Sequence, residues 1–175
     1  MAKRYNNDMS RDQSQLIIIS GLPGAGKTSL AKALHRQLDA IHLNTDMIRA
    51  ELEKKGRYDP QTKALIYEEL RRRVAQILGH GKRVIIDATF YQQEFRVPFI
   101  ELAGRCNAQL CWIELEAADA VIRDRVSKKR ADSEADYAVY QKIKKAYEPL
   151  TISHLLLSSG EKSVEKLVEE VMAYL

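Results

Sequence analysis

Leu16-Ile17-Ile18-Ile19-Ser20 runs directly into Gly21-Leu22-Pro23-Gly24-Ala25-Gly26-Lys27-Thr28, and Ser29-Leu30 follow. The first five residues are a short apolar, β-branched run bounded by glycine, which reads as a strand buried on both faces. The next eight fit G-x-x-x-x-G-K-[ST], a phosphate-binding loop. Its three glycines, Gly21, Gly24 and Gly26, let backbone N–H groups turn inward around phosphate oxygens. The helix that starts next adds its positive dipole end at the same point. Ala25 and Ser29 complete the expected nucleotide-binding stretch, Lys27 reaches for the outer phosphates, and the Thr28 hydroxyl is a Mg²⁺ ligand in such loops. The nucleotide and metal expected here are ATP and Mg²⁺.

Outward from this loop the chain alternates between strands and helices. Leu30, Leu34 and Leu38 recur every four residues, one apolar stripe of a helix. Ile41 to Asn44 is a brief second strand whose end delivers Asp46 and Arg49. Asp59-Pro60 reads as a cap and first helical position, and Ile66, Leu70, Val74, Ile77 and Leu78 continue that helix to Gly79. Arg83 to Asp87 is a third apolar strand, ending in an acid. A helix over 91–105, a strand over 109–116, and a helix from about Ala117 to Lys129 follow. Ser133 is placed to cap a further helix through Tyr147. His154 to Ser158 is the fifth strand, and Val164, Leu167, Val168, Val171 and Leu175 line a last helix.

Five strands separated by helices predict an α/β, three-layer fold with a five-stranded parallel sheet and a small lid, because right-handed crossovers put helices on both faces. Ligands in such sheets sit at the carboxyl ends of the strands. The 175 residues suit one domain over 15–175, preceded by a flexible, polar segment over 1–14. Apolar residues are 45% and charged residues 30% of the chain, with net charge +4, a composition that argues against disorder. A pI near 9.0 suits polyanionic partners without selecting one. No apolar run approaches a membrane span, and the polar start is unlike a signal peptide, so a cytoplasmic protein is expected. Cys106 and Cys111 lack nearby metal-type partners and read as buried thiols.

Asp87 is the expected Mg²⁺-organising acid, at the carboxyl end of an apolar strand. Asp46 and Arg49 stand one helical turn apart. A carboxylate there can accept the proton of an attacking hydroxyl, while a guanidinium holds a neighbouring anionic group. Arg123, Arg125, Lys128, Lys129 and Arg130, at the end of the helix after the fourth strand and just past it, offer cations for a lid that neutralises charge on a transferring phosphoryl group. Arg125 and Arg130 are the selected pair, although spacing alone does not separate them from Arg123 and Lys129. Arg71, Arg72 and Arg73 fan around a helix and read first as face charges, second as an acceptor-binding patch. The four histidines show no ligand spacing and read as structural.

Together the P-loop, the D-x-x-R after the second strand, Ile85-Ile86-Asp87-Ala88-Thr89 and the Arg-bearing lid resemble small P-loop kinases. The pattern is similar to polynucleotide 5′-hydroxyl kinases and the wider zeta-toxin-like group, from Gln15 to the end of the chain. That resemblance implies Asp46 as general base, Arg49 as the grip on a phosphate beside the acceptor hydroxyl, and Arg125 and Arg130 as lid arginines. It implies γ-phosphate transfer from ATP, with a nucleic-acid 5′-hydroxyl favoured as acceptor. Kinases of gluconate, shikimate, antibiotics and sugar nucleotides share the scaffold, so a small-molecule acceptor is the alternative. An NTP-hydrolysing switch module is the competing class. No guanine-reading N/T-K-x-D motif is present, and water as acceptor leaves Arg49 without a role.

Overall fold

The computed structural model describes residues 14–127 and 137–175. Its sheet is built around β1 (Gln15–Ser20), every residue of which is buried. Alternate side chains of a strand point to opposite faces, and β1 uses both. Leu16 and Ile18 join one apolar core with Ile66, Leu70, Val74, Phe90, Phe99 and Trp112. Ile17 and Ile19 join a second with Leu30, Leu34, Leu167, Val168 and Val171. Each of these large aliphatic side chains contributes roughly 1.5–3 kcal/mol on burial, so the central strand must be apolar throughout.

The flanking elements supply those two cores. On one side lie α1 (Lys27–Leu38) and α7 (Val164–Tyr174); on the other lie α3 (Pro60–Gly79) and α4 (Gln93–Arg105). The remaining strands are β2 (Ile41–Asn44), β3 (Arg83–Asp87), β4 (Gln109–Glu116) and β5 (Leu155–Ser158). Their order is β2-β3-β1-β4-β5, and every pairing is parallel. The α/β fold expected from the alternation is therefore present, with its five-stranded all-parallel sheet.

Local chemistry sets the helix starts that matter for the site. Asn44 caps α2 (Thr45–Glu51), its side chain accepting from the Met47 N–H at 2.7 Å. Asp59 caps α3, accepting from the Thr62 N–H at 2.8 Å, with Pro60 at the first helical position as the sequence predicts. After β4 the helix α5 covers Asp119–Ser127, and α6 covers Tyr137–Lys145. Lys128, Lys129 and Arg130, the lid cations expected there, and Ser133, the expected helix cap, lie outside the described residues.

Candidate active site

At the carboxyl rim of the sheet, a cleft of ≈ 320 Å³ runs between the P-loop, the ends of β2 and β3, and helix α6. Gly24, Gly26, Lys27, Thr28 and Ser29 line one end, with Asp46, Arg49 and Asp87 beside them. Sheet topology explains the meeting. Asn44 pairs in register with Asp87, and Ile19 pairs with Asp87 from the other side, so three strand ends finish level.

Gly21 and Ala25 stand behind this lining and shape it. Gly21 has φ +144°, and a Cβ there would lie 2.1 Å from the Leu115 carbonyl oxygen, so only glycine fits. Gly24 (φ +84°) and Gly26 (φ +97°) also occupy left-handed backbone. The Lys27 ammonium donates to the Leu22 carbonyl at 3.0 Å, within the P-loop.

Thr28 Oγ1 donates to Asp87 Oδ1 at 2.9 Å. The other Asp87 oxygen lies 2.5 Å from His42 Nε2, with both side chains almost fully buried. His42, read from the sequence as structural, is brought onto the candidate metal acid because β2 and β3 run side by side. Thr28 and Asp87 offer hard oxygen donors, the kind Mg²⁺ takes in ones and twos while phosphates and water supply the rest. Among the described residues no three His, Cys, Asp or Glu side chains converge to cage a metal. The donor set thus fits Mg²⁺ held jointly with a nucleotide.

Asp46 and Arg49 form the pair their spacing predicts: Arg49 donates from an NH1 to Asp46 Oδ1 at 2.9 Å. Their surroundings differ, with the Arg49 side chain 7% exposed and that of Asp46 46%. Arg49 is fixed by this contact, by donation from Nε to the Arg57 carbonyl at 3.3 Å, and by the Tyr58 ring, whose centroid lies 4.6 Å from its guanidinium. A rigid cation beside an accessible carboxylate can hold an anionic acceptor while the carboxylate takes a proton.

Arg125 does not line the cleft. It donates to the Gly24 and Ala25 carbonyls at 3.2 and 3.4 Å and to Ser159 Oγ and O at 2.9 and 2.8 Å. Arg125 thus ties the P-loop backbone to Ser159, where a place in the lid was expected of it. Arg123 instead lies over the Tyr137 ring at 4.9 Å, bridging α5 and α6. Arg71, Arg72 and Arg73 pair with Glu68, Glu69 and Glu51, and none lines the cleft. They are face charges, and the acceptor-patch alternative is not met. Cys111 is buried as expected, whereas Cys106 is only partly so.

Sequence reasoning missed the far wall of the cleft, made by Tyr58, Lys63, Tyr67, Tyr91 and Lys142. Tyr67 is buried, its oxygen accepting from the Phe90 N–H at 3.3 Å, and burial raises its pKa to about 12. Lys63 lies 3.6 Å from the Tyr91 ring centroid and 4.3 Å from that of Phe95. Burial foremost pushes its pKa down to about 8. One sequence signal was available: Tyr91 stands just past the third strand, where ligands collect. Lys63 had none, being one charge among several on a helix.

Comparison with known proteins gives this geometry relatives. The model of a family described as AAA domain matches residues 16–150. An uncharacterized protein of Mycobacterium tuberculosis is 26% identical over 124 residues, covering 64% of this chain and 25% of that protein. The match therefore spans about a quarter of the length of such curated relatives. A probable adenylyl-sulfate kinase of Halalkalibacterium halodurans is 25% identical over an alignment of 197 residues, covering 100% of this chain and 89% of that protein. Among solved structures, a sugar kinase from Janibacter superposes with TM-score 0.71 at 15% identity, covering 92% of this chain and 94% of that one. The Mycobacterium tuberculosis APS kinase in complex with AMPPNP and APS gives 0.69 at 18% identity, covering 92% and 96%. At such identities the structural likeness speaks for the fold alone.

Proposed function

This chain belongs to the AAA domain family, and within that family we propose that it is an ATP-dependent phosphotransferase that moves the γ-phosphate to a hydroxyl of a small, anionic acceptor. One observation carries the reading: the P-loop and the Asp46–Arg49 pair open onto the same cleft. Hydrolysis needs no arginine held rigidly beside a carboxylate, whereas an acceptor bearing both a hydroxyl and an anion uses each.

The chemistry assigned to each residue follows from its position. Asp46 takes the proton of the acceptor hydroxyl as its oxygen forms a bond to the γ-phosphorus. The bond from that phosphorus to the bridging oxygen breaks, and ADP leaves with the electron pair. Lys27 and the inward N–H groups of the P-loop hold the phosphates, and Arg49 holds the acceptor's anionic group. Thr28 and Asp87 would hold Mg²⁺, which supplies positive charge to the transferring phosphate. His42, against Asp87, orients that acid.

The acceptor is weighed from two sides. A relative by sequence over the whole chain is a probable adenylyl-sulfate kinase, which favours a small molecule. A nucleic-acid 5′-hydroxyl is the second reading, supported by the Asp46–Arg49 geometry, which also fits a hydroxyl flanked by a phosphodiester.

The test is a screen with γ-labelled ATP over phosphorylated and carboxylated hydroxy compounds, nucleoside 3′-monophosphates, a 5′-hydroxyl oligonucleotide and neutral sugars. Labelled product on a small anionic acceptor is expected, and Lys27→Ala should abolish it with loss of Mg·ATP binding by calorimetry. Product on the oligonucleotide alone would promote the second reading. Release of inorganic phosphate at one rate whatever is offered would reject both.

A further inference from the structure

Three cations from three separate elements meet at the acceptor end of the cleft: Arg49 from α2, Lys63 from α3 and Lys142 from α6. They are close enough that Arg49 and Lys142 both add to the burial that holds the Lys63 pKa down. Like charges gathered in a half-buried space are costly unless something of opposite sign is meant to join them.

The way Lys63 is held sharpens the point. Among the described residues no carboxylate grips it; Glu94 acts on it through its field. Its ammonium rests on the faces of Tyr91 and Phe95 and donates to the Tyr91 hydroxyl. Ring faces fix an ammonium in position without cancelling its charge, and an ammonium has three donors to give. The neutral polar groups of the same lining are hydroxyls, those of Thr45, Tyr58, Thr89 and Tyr91. Among the described residues lining the cleft there is no Asn, Gln or Glu. Val139, Ile143 and Ala146 of the α6 region close the wall with apolar groups.

We propose that Lys63, flanked by Arg49 and Lys142, is the centre of an anion subsite in the acceptor half of the cleft, and that the acceptor is a phosphomonoester carrying the reactive hydroxyl. Lys27 and Asp87 serve the nucleotide end; Asp46 pairs with Arg49, and Glu94 reaches Lys63 through its field, so two carboxylates stand against three cations. A phosphomonoester brings nearly two negative charges at neutral pH and three acceptor oxygens, enough to engage the Lys63 donors together with the Arg49 and Lys142 charges. The inference rests on the phosphotransfer reading for its division of the cleft into two ends. It goes further in selecting one chemical class of acceptor and the residue that selects it.

The experiment saturates the protein with Mg·AMPPNP, which fills the P-loop, and titrates inorganic phosphate by calorimetry and ³¹P line broadening. One phosphate site is expected, weakened about tenfold or more in Lys63→Met and regained in Lys63→Arg. Methionine keeps an aliphatic body against Tyr91 and Phe95, so a matching thermal melt separates lost charge from lost packing. Affinities for glucose 6-phosphate and glucose, compared in the same proteins, should differ in favour of the phosphate ester, and the difference should collapse in Lys63→Met. No second phosphate site, or one that Lys63→Met leaves unchanged, overturns the subsite. The readout needs no transfer. AMPPNP binding without the phosphate site defeats this proposal and leaves the kinase reading standing; repeating the titration in Lys27→Ala keeps the subsite measurable even if nucleotide binding is absent.

Discussion

Gly24 sits where the P-loop and α5 leave no space for a side chain: a Cβ would lie 2.9 Å from Val126 Cγ1 and 3.1 Å from Ile122 Cγ2, on backbone at φ +84°. Gly24→Ala is therefore expected to cost roughly 1–3 kcal/mol of stability and to weaken Mg·ATP binding, as read by denaturant titration and calorimetry. Wild-type values for both would mean that the loop is not held in this shape. At this scale the P-loop was fully legible, because its geometry is made by eight consecutive residues. His42 and Lys63 were not, since their partners are Asp87, 45 positions away, and Tyr91, 28 positions away. Sheet register and helix packing bring them there, and neither leaves a local pattern. Lys63 also yields a pH prediction. Burial, with Arg49 and Lys142, outweighs Glu94 and lowers its pKa from 10.5 to about 8. Its charge is lost as pH rises through about 8, so phosphate affinity should fall above that pH and Lys63→Arg should remove the fall. The sign for folding is opposite: between about 8 and 10.5 the unfolded chain binds the extra proton, so this group's contribution to stability rises with pH.

Helix α6 forms the outer wall of the cleft, and what fixes it is a clasp from α4. Arg96, almost wholly buried, donates to the carbonyls of Phe90, Glu148 and Pro149 and lies over the Tyr147 ring. The Glu148 N–H donates to the Tyr91 carbonyl at 2.8 Å, and its carboxylate accepts from the Gln93 N–H at 2.6 Å. The end of α6 is thereby tied to the same residues that carry the Lys63 contacts. Arg96→Ala should destabilise the fold by about 3 kcal/mol, as buried carbonyls lose a charged donor. Acceptor-side phosphate affinity should fall more than ATP affinity; equal losses would show that the clasp serves the fold alone. The helices themselves were legible from apolar spacing and from Asp59-Pro60. Their joining was not, because Arg96 reads in sequence as one more surface charge. The contacts of Arg125 were not legible for a related reason: its helix was identified, but the face presented to Gly24, Ala25 and Ser159 depends on how α5 packs against the P-loop.

For the whole molecule, alternation of strand and helix led to the parallel sheet and to the rim where Lys27, Asp46 and Asp87 meet, since those consequences follow from chain handedness and strand twist. The acceptor end was not deducible in the same way. Its wall draws on α2, α3, the segment after β3, and α6, and no motif spans four elements. Arg71 to Arg73, the most conspicuous basic run, proved to be paired on its own helix, while single, widely spaced residues made the site. Among the described residues no helix is long and apolar enough to cross a membrane. On the proposed function, nucleotide binding and phosphoryl transfer to the acceptor hydroxyl are separate tasks of one cleft, with Asp46 serving only the second. The most direct test is Asp46→Asn, assayed for Mg·ATP affinity by calorimetry and for single-turnover transfer to an acceptor found in the labelled-ATP screen. ATP affinity close to wild type with transfer reduced by roughly 10²-fold or more is predicted; a mutant that still transfers at over about half the wild-type rate, less than the smallest effect of a lost general base, would contradict the account.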